Sequence, residues 1–455
     1  MESTPGDNLP LGTEPTSRAR RKAGSVRWII VAMLCAVGFV LYVDRVNISV
    51  AVPSMKQEFR FSEQMRGNIL GAFIFGYAVG LVPGGWLADR FGPRRVLTVA
   101  AVLWGVLSIL TALVRRHVEF FGFHPDPVAT LIAVRFLLGI CEACAFPTFN
   151  RALANWMRRS ERALASGLIH SGSVLGGAFT QVFVAFITAN VGWRSSFLMA
   201  GELSFAMALL WWLYATDRPE QHRKVTPQEL AVIAAEKEEA TRAEPPDGSW
   251  FRRMARSRSA WMLCASEVFY GLAGFVFTTW FYTYFVEVRK AGEITSGFLS
   301  SLNFLAMAIG APAGGFLCDL CVRKWGSPWG RRTVPLVSIT AAGCCLAVAP
   351  IIPNHAASAA VFAVAAGLFF TAASAFWSTL IDITRRGTGI LGGLMNGSGQ
   401  VGSALGTVSF PWLRGKLDSW EGALQVGGLM GVISGLIWLW IDSSRQIDDN
   451  KGRVS

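Results

Sequence analysis

Apolar runs of bilayer-crossing length recur along the whole chain, and they constrain its fold more than any other feature. The first, Arg27 to Pro53, reads RWIIVAMLCAVGFVLYVDRVNISVAVP. About 20 predominantly apolar residues are enough for a helix to cross a bilayer. Such runs fall at 28–52, 66–88, 95–114, 129–154, 163–190 and 195–215, and after a charged stretch at 259–286, 295–320, 333–352, 356–382, 387–413 and 421–441. The pattern predicts an all-α membrane protein with twelve transmembrane helices in two six-helix bundles. Composition agrees: 52% of residues are hydrophobic and 16% charged, outside the range of soluble globular and disordered chains.

Charge sets the orientation. With both termini in the cytoplasm, the tails and even-numbered loops hold roughly 29 of the 42 Lys and Arg and the outward loops roughly 10. The expected organisation is a cytoplasmic tail at 1–27, a first bundle at 28–216, a cytoplasmic linker at 217–258, a second bundle at 259–442 and a cytoplasmic tail at 443–455. Within the linker, TPQELAVIAAEKEEATRAE has the spacing of a short surface helix. The net charge of +12 is distributed between apolar runs rather than over one soluble face, so no nucleic-acid partner is expected. The cluster Arg18, Arg20, Arg21, Lys22 and Arg27 precedes a run too long for a cleavable signal, which therefore reads as the first span. The eight cysteines lie mostly in apolar runs. Cys141-x-x-Cys144 and Cys318-x-x-Cys321 have ligand spacing but no histidine to complete a metal set, and read as packing residues.

Charges inside spans are the exception that points to function. A membrane-embedded ionisable residue costs roughly 2.5–3.5 kcal/mol on insertion scales and usually faces a partner or a water-filled cavity. Asp44 and Arg45 lie in the first span, and Arg135 and Glu142 in the fourth. Tyr42 and Arg45, three apart, share a helix face, whereas Asp44 points about 100° away from Arg45. Arg135 and Glu142, seven apart, share a face about 10 Å apart along the axis. Two carboxylates among two arginines can take up and release a proton as a cavity opens to either side. His170, Glu202 and Glu267 are further polar residues in or beside apolar runs, and His170 reads as a packing residue.

The two halves echo each other. Gly84-Gly-Trp-Leu-Ala-Asp89 ends the second span and Gly314-Gly-Phe-Leu-Cys-Asp319 ends the eighth. The segment around the first copy, Gly85-Trp-Leu-Ala-Asp89-Arg90-Phe-Gly92-Pro-Arg94-Arg95, resembles the signature loop of the major facilitator superfamily. That resemblance implies a gating motif of Gly85, Asp89, Arg90, Gly92, Arg94 and Arg95 that latches the halves in the outward-facing state. Gly85 would admit a close neighbour, Asp89 would cap a helix or pair with an arginine, and Arg94 and Arg95 would meet cytoplasmic headgroups. Tyr42-Val-Asp44-Arg45-Val-Asn47-x-Ser49-x-Ala51-x-Pro53 and Arg135-Phe-Leu-Leu-Gly-x-x-Glu142-Ala-x-x-Phe-Pro147 are similar to the anion:cation symporter family. Its members carry hexonates, hexuronates, glucarate, phthalate, sialic acid and vesicular glutamate.

This narrower resemblance implies import of a small organic anion, a sugar acid such as a hexonate or hexuronate, with protons by alternating access. Arg45 would meet the substrate carboxylate. Tyr42, Tyr77, Ser173, Ser378 and Asn396 would line the pocket, with Gln400 a weaker candidate. Asp44 and Glu142 would carry protons, with Arg135 in the same network. Some sugar-acid carriers have glutamine where this chain has Ser173, which loosens the substrate assignment. No cofactor is expected: the proton motive force drives transport, with sodium as an open alternative. The expected partners are the anion, protons and the lipid bilayer, for a monomer in a bacterial inner membrane. Two alternatives stand beside this reading: an exporter of metabolites or drugs with the same fold, and a transporter-like anion sensor. An enzyme is not expected, since the chain has no P-loop, nucleophile–base pair or histidine-rich metal set.

Overall fold

The computed structural model describes residues 26–115, 126–234, 248–384, 388–444 and 446–447; the basic cluster 18–22, most of both expected tails and the later part of the expected linker helix lie outside them. The first six spans are α1 (Val26–Phe59), α2 (Glu63–Phe91), α3 (Pro93–Leu113), α4 (Pro127–Trp156), α5 (Arg159–Val191) and α6 (Trp193–Tyr214). The second six begin with α7 (Arg258–Val288) and end with α10 (His355–Ile383), α11 (Thr388–Leu417) and α12 (Trp420–Trp440). Between them Glu293–Val348 runs as one helical stretch, broken at Gly326 with φ +76°, which separates α8 (293–325) from α9 (327–348). Ten helices among the described residues are long and apolar enough to cross a membrane. One of the ten is the α8–α9 pair, and α11, diluted by glycine, serine, asparagine and glutamine, completes the expected twelve.

The boundaries follow local chemistry. Ser62, Asp126, Asn354 and Ser419 each accept a hydrogen bond from the first turn of α2, α4, α10 and α12, satisfying backbone donors that a helix start leaves open. Pro93 and Pro127 stand in the first turns of α3 and α4, where a missing N–H does no harm. Two α-helices lie among the described residues of the linker, after a single 3-10 turn at Pro219–Gln221. Pro227–Ala234 carries the buried Glu229, whose carboxylate takes the Arg27 backbone N–H (3.1 Å). Gly248–Arg256, which the sequence reading did not single out, buries Trp250 and donates its indole N–H to Thr384 at the end of α10 (3.1 Å).

Glycine makes the tightest helix contacts, because only its backbone lets two helices approach so closely. On α2, Gly76, Gly80 and Gly84 face α4: a Cβ on Gly76 would overlap the Phe136 carbonyl, and one on Gly84 would lie 2.7 Å from Cys144 Cα. In the second half, Gly310 and Gly314 on α8 press on Gly367 and Thr371 of α10 in the same way. The paired sequence motif is therefore matched by paired packing. It also corrects the role expected of Gly85, whose Cβ would meet only Pro147 at 3.9 Å: the close approach belongs to Gly84, one residue earlier. Gly76→Val is expected to destabilise the fold by about 1–3 kcal/mol or more through overpacking. Gly85→Ala should be tolerated, and thermal unfolding of the two purified variants in detergent checks the contrast.

Candidate functional site

Four membrane-embedded charges converge between α1 and α4. The side chain of Arg45 donates from Nε to Glu142 Oε2 (3.1 Å), and its Nη2 lies 3.1 Å from the same oxygen. Glu142 is fully buried, and its other carboxylate oxygen has no hydrogen-bond partner. The guanidinium is sleeved by aromatic rings, with centroids at 5.2 Å for Tyr42, 5.3 Å for Phe73 and 4.7 Å for Tyr77. Such faces attract a cation that has left water behind. Arg135, also buried, lies 4.8 Å from the Phe73 ring, and its Nε and Nη1 have no hydrogen-bond partner. One arginine is thus held by a single carboxylate oxygen, and a second presents unused donors beside it.

Asp44 turns away, as its position on the helix requires. Its two oxygens accept from Ser108 of α3 (2.5 Å) and Ser204 of α6 (2.7 Å), and it is fully buried. Glu142, not its neighbour in sequence, is therefore the acidic partner of Arg45. Phe73, Ser108 and Ser204 were not singled out from the sequence. Phe73 had a readable signal, one turn before Tyr77 on the same face of α2; a serine within an apolar run gives none.

The structure brings Tyr42, Arg45, Tyr77, Arg135 and Glu142 together and sets the remaining pocket candidates apart. Ser173 donates to the Ile169 carbonyl (2.9 Å) and packs against Gly38, two turns below Arg45, in the α1–α5 seam. Ser378 donates weakly to Ala375 (3.3 Å), and Asn396 accepts from Gln400 (3.5 Å). At 1.5 Å per residue, Arg45 and Glu142 lie about 21–22 Å below the outer ends of their helices, Asn396 about 32 Å and Ser378 about 35 Å. Along their own helices the last two thus lie nearer the cytoplasmic end than Arg45 and Glu142 do, and Glu267 of α7 packs over Gly399, three residues beyond Asn396. His170 is exposed, its Nδ1 lies 2.9 Å from the Ser166 carbonyl oxygen, and its ring stacks on Phe146 at 4.9 Å.

The two halves close on each other at the outer end. Arg66 of α2, fully buried, binds Glu287 of α7 (2.5 Å). Arg414 of α11 reaches Glu63 (3.4 Å), which also pairs with Lys56. Gln64 donates to the Val408 carbonyl (3.1 Å). Ser49 donates to the Thr278 carbonyl (3.0 Å), within a π-helical stretch of α7 (Val276–Trp280) whose wider turn disturbs the usual ladder. These contacts seal the outer end between the two halves. Glu287→Gln is expected to weaken the seal. Breaking a buried ion pair costs about 3–5 kcal/mol, which is about a hundredfold to several thousandfold in a two-state equilibrium, and the partly exposed Glu287 puts this pair at the lower end. Outside labelling of a cysteine at Thr278, in a background lacking the native cysteines, should rise strongly in that variant.

At the cytoplasmic end, Asp89 of α2 lies 3.6 Å from Arg151 of α4, both in the first half and both exposed. Gly92, at φ +82°, leaves room for the Asp217 carboxylate, which accepts the Arg94 backbone N–H (2.8 Å). The Arg94 side chain departs from its expected headgroup role: it donates to the Trp212 carbonyl (3.1 and 2.7 Å) and covers the Trp212 ring, tying α3 to the end of α6. Arg90 and Arg95 remain exposed. The second half repeats the theme, with Arg331 between Asp319 (3.8 Å) and Asp382 (2.8 Å).

Twelve membrane-crossing helices in two bundles, closed at one end around buried charge, define a membrane transporter. The profile of the Major Facilitator Superfamily matches residues 34–354 and 295–454, and the chain belongs to that superfamily, in its anion:cation symporter branch. It is 33% identical over 93% of its length to a probable sulfoacetate transporter of Cupriavidus necator, 95% of which is covered. It is 28% identical over 92% of its length to a probable galactarate/D-glucarate transporter of Bacillus subtilis, also 92% covered. Among solved structures, a bacterial homologue of the human lysosomal transporter Spinster, inward-facing and occupied, superposes with a TM-score of 0.71 at 16% identity, over 92% of this chain and 97% of the other. That last likeness concerns the fold.

Proposed function

We propose that this protein imports a small organic anion together with protons across a bacterial inner membrane. The observation that carries the reading is the Arg45 guanidinium, sleeved by Tyr42, Phe73 and Tyr77 and held from one side by Glu142. A substrate carboxylate competes with Glu142 for the same donors in a planar, bidentate geometry. Displaced from its partner, Glu142 loses the positive charge that kept it ionised and takes a proton. Binding of the anion and loading of the proton are thereby coupled. Asp44 is the second proton carrier, and Asn396 and Gln400 meet the hydroxyl-bearing end when the second bundle rocks inward.

A sugar acid is the substrate class this reading favours, supported by the glucarate/galactarate relative. A second reading, a sulfonated carboxylic acid, is supported by the higher identity to the sulfoacetate relative and by Arg135, which offers unused donors beside Arg45 and suits a second anionic group. Uptake into proteoliposomes of a radiolabelled panel of hexonates, hexuronates, aldarates, sulfoacetate and aromatic acids, with and without a protonophore, tests both. Protonophore-sensitive accumulation of one class selects it. Accumulation that follows a sodium gradient alone, or none of any anion, overturns the proposal.

A further inference from the structure

We propose that the cytoplasmic rim of the second bundle holds a binding site for the headgroup of an anionic phospholipid. A cavity of about 470 Å³ lies where helix Gly248–Arg256, the starts of α7 and α9 and the end of α12 meet. Four guanidiniums line it, Arg253, Arg256, Arg258 and Arg332, against one carboxylate, Asp442, leaving an excess of three positive charges. Two of the four are anchored. Arg253 donates to the Ile447 carbonyl (2.8 Å), and Arg332 donates to the Ile441 carbonyl while covering the Trp329 ring at 5.3 Å. Asp442 is engaged by Ser444 (2.6 Å). Arg256 and Arg258 are exposed, with no hydrogen bond or ion pair to another described residue. The cavity thus combines fixed and adjustable cations, the arrangement that takes a phosphate by bidentate hydrogen bonds.

Its position selects the source of the phosphate. Trp261 at the start of α7, Trp329 at the start of α9 and Trp440 at the end of α12 are about half exposed, at 50%, 56% and 49%. Indoles collect at the headgroup level of a membrane, so these three mark the plane of the inner interface, and the cavity opens in it. Helix Gly248–Arg256 lies there with Trp250 buried, Phe251 exposed and its arginines beside them, the pattern of a helix resting in an interface. The cytoplasmic leaflet carries the anionic lipids, and a basic pocket between spans on that side captures their headgroups.

Native mass spectrometry of the full-length protein titrated with phosphatidylglycerol tests the site. The double substitution Arg256→Gln and Arg258→Gln, at two exposed positions, should weaken the tightest lipid-binding step about thirtyfold. The control Arg323→Gln with Lys324→Gln removes the same charge from the nearby α8–α9 turn and should leave that step unchanged. Phosphatidylcholine and free glycerol phosphate should not displace the bound lipid. Equal weakening in both variants would mean diffuse charge attraction and overturn the site. No weakening in the Arg256 and Arg258 variant would overturn it as well. Displacement by glycerol phosphate at the lipid's own potency would show that a soluble phosphate, not a lipid, is the ligand.

Discussion

Arg45→Ala is expected to abolish measurable anion binding, and Arg45→Lys to restore little of it. The guanidinium provides a planar pair of donors fixed by Tyr42, Phe73, Tyr77 and Glu142. Removing one member of a desolvated, hydrogen-bonded charge pair costs about 2–5 kcal/mol or more in affinity, about four hundredfold at the middle of the range. Lysine keeps the charge but presents a single rotating ammonium that cannot grip two oxygens at once. Alanine also strands Glu142, fully buried, without its partner. Thermal stability must therefore be read beside affinity, and Arg45→Lys is the variant that separates the two. Calorimetric titration of the purified variants with the preferred anion decides the matter, and wild-type affinity in either would remove Arg45 from the substrate site.

Glu142→Gln is expected to eliminate proton-driven accumulation while sparing exchange of anion between equal pools. Glutamine retains the shape of the side chain and an acceptor for Arg45, but cannot exchange a proton. Asp44→Asn should produce the same uncoupling for a different reason. An amide at 44 can still accept from one of Ser108 and Ser204 and donate to the other, so the link between α1, α3 and α6 survives while its proton does not. Proteoliposomes with an imposed pH gradient, assayed for accumulation and for counterflow, check both. Wild-type accumulation in each single variant would show that the protons travel by another route.

The architecture was legible because a membrane permits few solutions: run length gave the spans, and the bias of Lys and Arg gave their direction. The charged core was equally legible, since Asp44, Arg45, Arg135 and Glu142 are conspicuous in apolar surroundings. Pairing was not. Helical spacing placed Asp44 off the Arg45 face, but nothing in the sequence said that the partner would come from α4 or that two serines on α3 and α6 would hold Asp44. The placement of Ser173 in the α1–α5 seam was not legible either, because a hydroxyl in a helix can bond its own backbone as readily as face a cavity. The close-packed glycine was misplaced by one position, since in a Gly-Gly pair only the three-dimensional neighbour decides which member faces it. Helix Gly248–Arg256 was missed because nine residues give too short a periodic signal.

The four charges of the first bundle have an electrical consequence. With all of them ionised, Asp44 and Glu142 balance Arg45 and Arg135, and the empty carrier moves no net charge when it reorients. Every proton loaded adds one positive charge, and a bound monoanion subtracts one. With both carboxylates protonated and one monoanion on Arg45, the loaded bundle carries a single positive charge inward. Its passage is then assisted by about 2.3 kcal/mol per 100 mV of membrane potential, while the return of the empty carrier is indifferent to voltage. Such a transporter is a rectifier: the cell's voltage accelerates delivery and leaves resetting to thermal motion. In saturating anion, turnover would stop rising with voltage once the empty return limits the cycle.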